Sequence, residues 1–252
     1  MCIINMTTKE KKFSLGSWIT IGHPSIAEVM CDAGFDWLCI DMEHSQIDIN
    51  NLLNLVIAIQ GRKMKAYVRV GSNDSSTIKK VLDSGADGII IPQINTEEEA
   101  KRAINNVRYS PIGTRGLGLA RAQGYGFGLE NYLKGKAKDI ELIVQIEHYK
   151  GIKNLHQILS LEGLDGSFLG PYDLSASINV PGQFESKKFK NLVTEYNQIT
   201  SKFSKKKGFH VVSKNIDDLT LKKSEGYNFL AFNFDVFFMG LSIRQFLKKF
   251  KF

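Results

Sequence analysis

The chain has 252 residues, 43% of them apolar and 23% charged, which is enough to bury a sizeable core and excludes whole-chain disorder, collagen and coiled coil. Lys and Arg outnumber Asp and Glu by 33 to 26, a net charge of +7. The basic residues gather mostly in helix-face patterns (KEKK, IKKV, SKKFK, SKKKG, LKKFKF), with no basic stripe interleaved with aromatics, so a solvated face is expected rather than a nucleic-acid surface. The opening MCIINMTTKEKKF is too broken for a signal sequence and no stretch approaches a membrane span. Three cysteines, Cys2, Cys31 and Cys39, lack any CxxC spacing, so neither a disulfide framework nor a zinc cluster follows. A cytoplasmic protein with no membrane partner is expected.

From one end of the chain to the other, short apolar runs alternate with amphipathic stretches, the rhythm of a parallel sheet wrapped in helices. A first strand is expected over 17–22, a helix over 25–34 opened by Ser25 with Glu28 three residues on, and a second strand over 37–42. Helix 47–61 leads to strand 65–70, and helix 74–84 to strand 88–93. Helix 96–108, with Asn95 and Thr96 ahead of three Glu, is followed by strand 141–147. The remainder reads as helix 151–161, strand 166–171, helix 186–207, strand 209–213, helix 215–225, strand 228–234 and helix 236–250. Gly34, Gly61, Gly85, Gly163 and Gly226 stand where helices should end. Eight continuous apolar strands with helical crossovers predict a (β/α)8 TIM barrel, one domain over 1–252.

Two insertions break the rhythm. Residues 109–138 hold seven of the 22 glycines, and 174–185 read LSASINVPGQFE; both follow even-numbered strands, at the barrel end where active sites lie. The GTRGLG stretch at 113–118 is rich enough in glycine to hold a phosphate, but it lacks the GxxxxGK[ST] order and opens no helix.

Reading only the C-terminal strand ends gives Asp41, Glu43 and His44 after strand 2, Arg69 on strand 3, Gln93 on strand 4, Gln145 and Glu147 on strand 5, and Asp173 after strand 6. Glu147 and Asp173, on neighbouring strands, suit a hard divalent cation such as Mg²⁺, Mn²⁺ or Co²⁺; the alternative is that each caps a helix or pairs with a nearby Lys. His44 is the natural proton carrier near neutrality, or else a loop histidine bonded to a carbonyl. Arg69 ends an apolar strand, where a guanidinium needs a carboxylate or a ligand, and a bidentate clamp on an anionic substrate fits.

Five segments carry a resemblance: AGFDWLCIDMEHS (33–45), VRV with VLDSGADGIIIPQINTEEEA (68–100), RYSPIGTRG (108–116), VQIE (144–147) and GLDGSFLGPYDLSAS (163–177). In this order they resemble the metal-dependent pyruvate aldolases of the HpcH/HpaI type, over about residues 15–240. The resemblance implies a barrel of the phosphoenolpyruvate/pyruvate-binding type that cleaves a 2-keto-4-hydroxy acid to pyruvate and an aldehyde. It places the metal on Glu147 and Asp173, makes His44 the proton acceptor with Asp83 raising its basicity, and has Arg69 stabilise the enolate. Asp41 joins that catalytic set. Gln145, the backbone at Tyr172, Asp173 and Trp18 form the substrate-binding group. Tyr172 stands where the family has a small residue and His148 where Thr is common, so both could narrow the mouth. No strand end offers a Schiff-base lysine.

Two other functions compete: a phosphosugar isomerase, disfavoured because VVSKN and NFNFDV show no glycine-rich turn after strands 7 and 8, and a barrel that binds without turnover. The terminal FDVFFMGLSIRQFLKKFKF, with Phe234, Phe237, Phe238, Leu241 and Phe246, is greasier than one barrel wall needs. Residues 236–252 are therefore expected to pack on a neighbouring subunit of a homo-oligomer, a trimer or hexamer.

Overall fold

The apolar runs become eight strands: β1 (Ser14–Ile19), β2 (Trp37–Asp41), β3 (Lys65–Arg69), β4 (Gly88–Ile91), β5 (Glu141–Ile146), β6 (Gly166–Leu169), β7 (Lys206–Val211) and β8 (Phe229–Phe234). In this computed structural model, which describes residues 13–250, all are parallel, pair in chain order, and close with β8 on β1. The expected (β/α)8 barrel is therefore observed. Cys2, the MCIINMTTKEKK stretch and residues 251–252 of the expected terminal helix lie outside the described residues. Among the described residues no helix is long and apolar enough to cross a membrane.

Because side chains alternate across a strand, each strand feeds two cores. Inward positions put Trp18, Trp37, Tyr67, Phe168 and Phe229 into the barrel, while outward Val, Ile and Leu pack under the helices. Five large rings fit one barrel because small residues sit directly across from three of them: Gly16 pairs with Trp37, Gly88 with Tyr67 and Gly208 with Phe168. A Cβ on Gly16 would lie 2.1 Å from the Trp37 ring.

The helices are α1 (Pro24–Asp32), α2 (Ile49–Gly61), α3 (Ser75–Asp83), α4 (Glu97–Val107), α5 (Leu129–Lys134), α6 (Lys136–Asp139), α7 (Tyr149–Lys153), α8 (Leu155–Ser160), α9 (Pro171–Ala176), α10 (Lys187–Thr200), α11 (Asp217–Ser224) and α12 (Asp235–Lys249). Thr96 and Glu99 form the reciprocal capping bonds at the start of α4. At α1 the cap is His23, which accepts from the Ser25 amide, not Ser25 itself. The left-handed residue after α2 is Lys63, at φ +60°, rather than Gly61, whereas Gly34 and Gly85 adopt that conformation as expected.

The largest departure is at SKKKG. The expected helix to 207 ends at Thr200, and β7 begins at Lys206. These lysines are not a solvated helix face. Lys206 enters the barrel floor, where its ammonium pairs with Glu141 and lies 4.8 Å over the Phe229 ring, and Tyr67 donates its hydroxyl to the same carboxylate. Lys207 is buried, donating to the Glu225 carbonyl at 2.8 Å. Lys205 donates to the carbonyls of Leu161 and Leu164 at 2.6 and 2.7 Å. A lysine stem is apolar enough to line a strand when its ammonium finds acceptors.

Gly16→Ala forces a methyl group into the Trp37 indole. It is expected to lower unfolding stability by about 1–3 kcal/mol, read as a lower urea midpoint at unchanged slope.

Candidate active site

β2 ends on Asp41, which is 3% exposed. Its carboxylate accepts from Arg69 through Nε at 2.9 Å and Nη2 at 2.7 Å, a two-pronged bond between adjacent strand ends. The same Oδ1 accepts the amides of Glu43 and His44 at 3.0 and 3.3 Å, which turns the chain after the strand. The bidentate face of Arg69 expected to clamp a substrate is thus used by Asp41. Its third nitrogen, Nη1, lies 3.1 Å from Glu43 Oε2, and its guanidinium rests 4.5 Å above the Trp18 ring. Burial opposes the Arg69 charge, but bonds to Asp41 and then the Glu43 charge outweigh it and push the pKa upward.

Trp18 is 3% exposed and forms the floor of the mouth, edge-on to Phe168 at 5.9 Å and tilted against His210 at 5.3 Å. His210, in a strand expected over 209–213 and observed over Lys206–Val211, stands one residue from its end, and its Nε2 lies 3.0 Å from the Asn233 carbonyl. Burial holds its pKa down to about 4, so the ring is neutral and donates to that carbonyl.

Glu147 follows β5 and is 5% exposed. Gln93, in the left-handed region at φ +56°, donates its amide to Oε1 at 2.8 Å, and Gln145 donates its side-chain amide to Oε2. Burial raises the Glu147 pKa, the two donors pull it back, and the charge of Asp173 raises it again. Gly170 lets the turn into α9 approach this carboxylate, since a Cβ there would lie 3.0 Å from Oε2. Asp173 lies in the first turn of that helix, as does Tyr172, where backbone N–H groups have no partner within the helix. The Tyr172 side chain is 58% exposed and turns to Phe184.

Glu43 is the residue to which sequence reading assigned no role. Burial pushes its carboxyl up to about 7; Arg69 opposes that rise, while Glu147, Asp41 and Asp173 add to it. Its buried Oε2 has the ion contact with Arg69 Nη1 but no aligned hydrogen bond. That four acids act on one another here is the signal that their neighbouring strand ends carried.

His44 stands at the rim with its side chain 67% exposed and Nε2 3.9 Å from Glu43. Asp83 is not brought to it: the Asp83 carboxylate accepts from Arg115 at 2.7 Å and Gln123 at 3.2 Å. Arg115, in the glycine-rich loop, is 6% exposed, and a Cβ on Gly118 would lie 3.2 Å from Asp83 Oδ2. An acid against that loop disfavours a phosphate there. His148 caps α7 by accepting the Lys150 amide at 3.2 Å and stacks on Tyr149.

Among the described residues no group of three or more His, Cys, Asp or Glu side chains stands in position to hold a metal ion. What the mouth offers is a pair of carboxylates, Glu147 and Asp173, with Glu43 beside them and one fixed guanidinium. Hard oxygen donors in pairs, with water completing the shell, suit Mg²⁺-like cations rather than zinc.

Residues 14–240 match the HpcH/HpaI aldolase/citrate lyase family, and the chain belongs to it. Over 171 residues it is 40% identical to a hydroxypyruvate/pyruvate aldolase of Roseobacter denitrificans, a match covering 67% of this chain and 66% of that protein, just under two thirds of its length. Over 244 residues it is 31% identical to a 2-keto-3-deoxy-L-rhamnonate aldolase of Escherichia coli, covering 96% of this chain and 91% of the relative. A solved HpcH/HpaI aldolase/citrate lyase family protein from Burkholderia cenocepacia superposes with a TM-score of 0.91 at 27% identity, covering 97% of this chain and 96% of that one.

The raised Glu43 pKa has a sign. Burial pushes the folded carboxyl up to about 7 against an ordinary 4.5, so the folded state holds its proton longer, and this group's contribution to stability is full below 4.5 and is lost as pH climbs through 7. In metal-free protein Glu43→Gln is expected to flatten the decline in urea midpoint between pH 5 and 8.

Proposed function

We propose that the chain is a divalent-metal-dependent aldolase, a carbon–carbon lyase that reversibly cleaves a 2-keto-4-hydroxy acid to pyruvate and an aldehyde. The observation that carries this reading is the pairing of Glu147 and Asp173 in one mouth with Arg69, whose charge is anchored by Asp41 and Glu43. Family membership and the named activities of the relatives support it.

Glu147 and Asp173 would hold the cation, Mg²⁺, Mn²⁺ or Co²⁺, and when bound it would act as a Lewis acid on the keto oxygen. Gln145 and the Gln93 amide orient Glu147 by occupying one lone pair on each oxygen. Arg69 presents a fixed positive charge to the carbon fragment that keeps the bonding electrons. In cleavage the C3–C4 bond breaks, C4 leaves as the aldehyde after its hydroxyl gives up a proton, and C3 takes a proton to become the pyruvate methyl. His44 at the rim would accept the hydroxyl proton, with Glu43 beside it able to share it near neutrality. The backbone amide at Tyr172 and the Trp18 floor would seat the pyruvate portion.

The same proposal includes self-association and a cytoplasmic setting. Phe237, Phe238 and Leu241 are partly covered, but Ile243, Phe246 and Leu247 on the far half of α12 and Phe250 just after it are 52%, 70%, 53% and 71% exposed. A second copy would cover them. Buried free thiols at Cys31 and Cys39 suit a reducing compartment.

Pyruvate release from a 2-keto-4-hydroxy acid, followed with a coupled dehydrogenase, should vanish with chelator and return with Mg²⁺, Mn²⁺ or Co²⁺. Glu147→Gln should lower kcat/KM by about 100-fold or more. Chelator-resistant turnover would overturn the metal assignment. Mn²⁺ affinity should rise from pH 5.5 to 8 with proton release on binding, since Glu43 and Glu147 must ionise; calorimetry in buffers of different ionisation enthalpy measures it. Light scattering should find an oligomer, and a monomer would remove the α12 contact.

A further inference from the structure

A groove of about 620 Å³ separates α10 from α11 and opens beside the mouth. Its largest surfaces are apolar, Phe184, Phe189 and Val193 on one side, Leu221 on the other, Phe209 and Val211 beneath, with Thr194, Asn197 and Ser213 set among them. Tyr172, adjacent in sequence to Asp173, forms one edge, whereas the His210 ring faces the other side of β7, 5.3 Å from the Trp18 ring that carries Arg69. From Tyr172 the aromatic surface runs on without interruption, edge-on to Phe184 at 5.0 Å and from there to Phe189 at 5.3 Å.

The charges around the groove are already matched. Lys190 pairs with Glu185 at 2.6 Å, Lys222 pairs with Glu225 at 2.8 Å, and Asp218 accepts from the Ser213 hydroxyl. Among the described residues lining the groove each lysine already faces a carboxylate, and hydroxyls laid against Phe and Val would lose water that only Thr194, Asn197 and Ser213 could replace. A hydrophobic substituent would instead gain with every methylene it buries.

We propose that this groove is the subsite for the aldehyde's substituent and that the preferred aldehyde carries a neutral, hydrophobic chain or ring, not a carboxylate, a phosphate or a polyhydroxylated tail. The inference deepens the aldolase reading and rests on it. Tyr172 is its specificity-determining residue: it lines the groove, its ring meets Phe184 edge-on, and the next residue in the chain is Asp173.

The test is Mn²⁺-supported condensation of pyruvate with an alkanal series from acetaldehyde to hexanal, with benzaldehyde, glyceraldehyde and succinic semialdehyde alongside. The expected result is a rise in kcat/KM of about three- to fourfold per methylene, with hexanal and benzaldehyde above both polar aldehydes. Two variants localise the effect at exposed groove positions outside the catalytic set, Thr194→Trp, which fills the groove, and Leu221→Asp, which puts an unmatched charge in it. Each should cost hexanal about tenfold or more in kcat/KM and leave acetaldehyde turnover and the pyruvate KM unchanged. A flat alkanal series, a preference for glyceraldehyde or the semialdehyde, or variants that leave hexanal untouched would overturn the inference while the aldolase reading stands. Absence of condensation or cleavage with every aldehyde would overturn the aldolase reading and this inference with it.

Discussion

The bond on which the mouth depends is the two-pronged contact between Asp41 and Arg69. A guanidinium at the end of an apolar strand is tolerable only if its charge is met, and here it is met twice, by Asp41 and by Glu43, above an indole face. Because Asp41 also binds the amides of Glu43 and His44, one carboxylate sets the direction of Arg69 and the course of the loop that follows β2. Removing it would free the positive charge and the loop together, so electrostatics and local backbone shape cannot be separated at this position.

Below that layer, the interior positions the site through size matching. Glycine faces an aromatic ring at three strand pairs, which lets Trp37, Tyr67 and Phe168 lie across the barrel and support Trp18 from beneath. The opposite end is closed by Glu141, held by Lys65 at 2.7 Å and by Lys206 and Tyr67. The barrel is therefore polar at both ends and apolar between. The ions at the floor complete their own set and leave nothing for a ligand, whereas those at the mouth do not.

Much of this was legible before any coordinates. Strands buried on both faces read as continuous apolar runs, so all eight were placed within a few residues, and strand-end polar residues followed at once from the barrel. Asp41, Arg69, Gln145, Glu147 and Asp173 emerged in that way. What stayed hidden depends on distance along the chain. Lys206 reads as a solvated helix residue because nothing in SKKKG announces Glu141, 65 residues away. Asp83 was assigned to His44, yet its carboxylate meets Arg115 from a loop 32 residues on. His210 is hidden in a similar way: a strand read over 209–213 puts it near the start, whereas β7 begins at Lys206 and brings it to the mouth end.

Burial is the first reason why Glu43 and Glu147 resist ionisation, and the incomplete set at the mouth adds to it. Asp41, Glu43, Glu147 and Asp173 share a partly buried space with a single guanidinium, and each remaining charge raises the cost of the next. Gln145 and the Gln93 amide offset part of that cost at Glu147 with hydrogen bonds, but Glu43 Oε2 has the ion contact with Arg69 and no aligned hydrogen bond. A mouth selected only for stability would replace one of these acids with an amide, which keeps the shape and removes the repulsion. Keeping them all makes physical sense if a divalent cation enters with the substrate: it offsets the excess negative charge and lets a keto acid, itself an anion, come to rest beside Arg69.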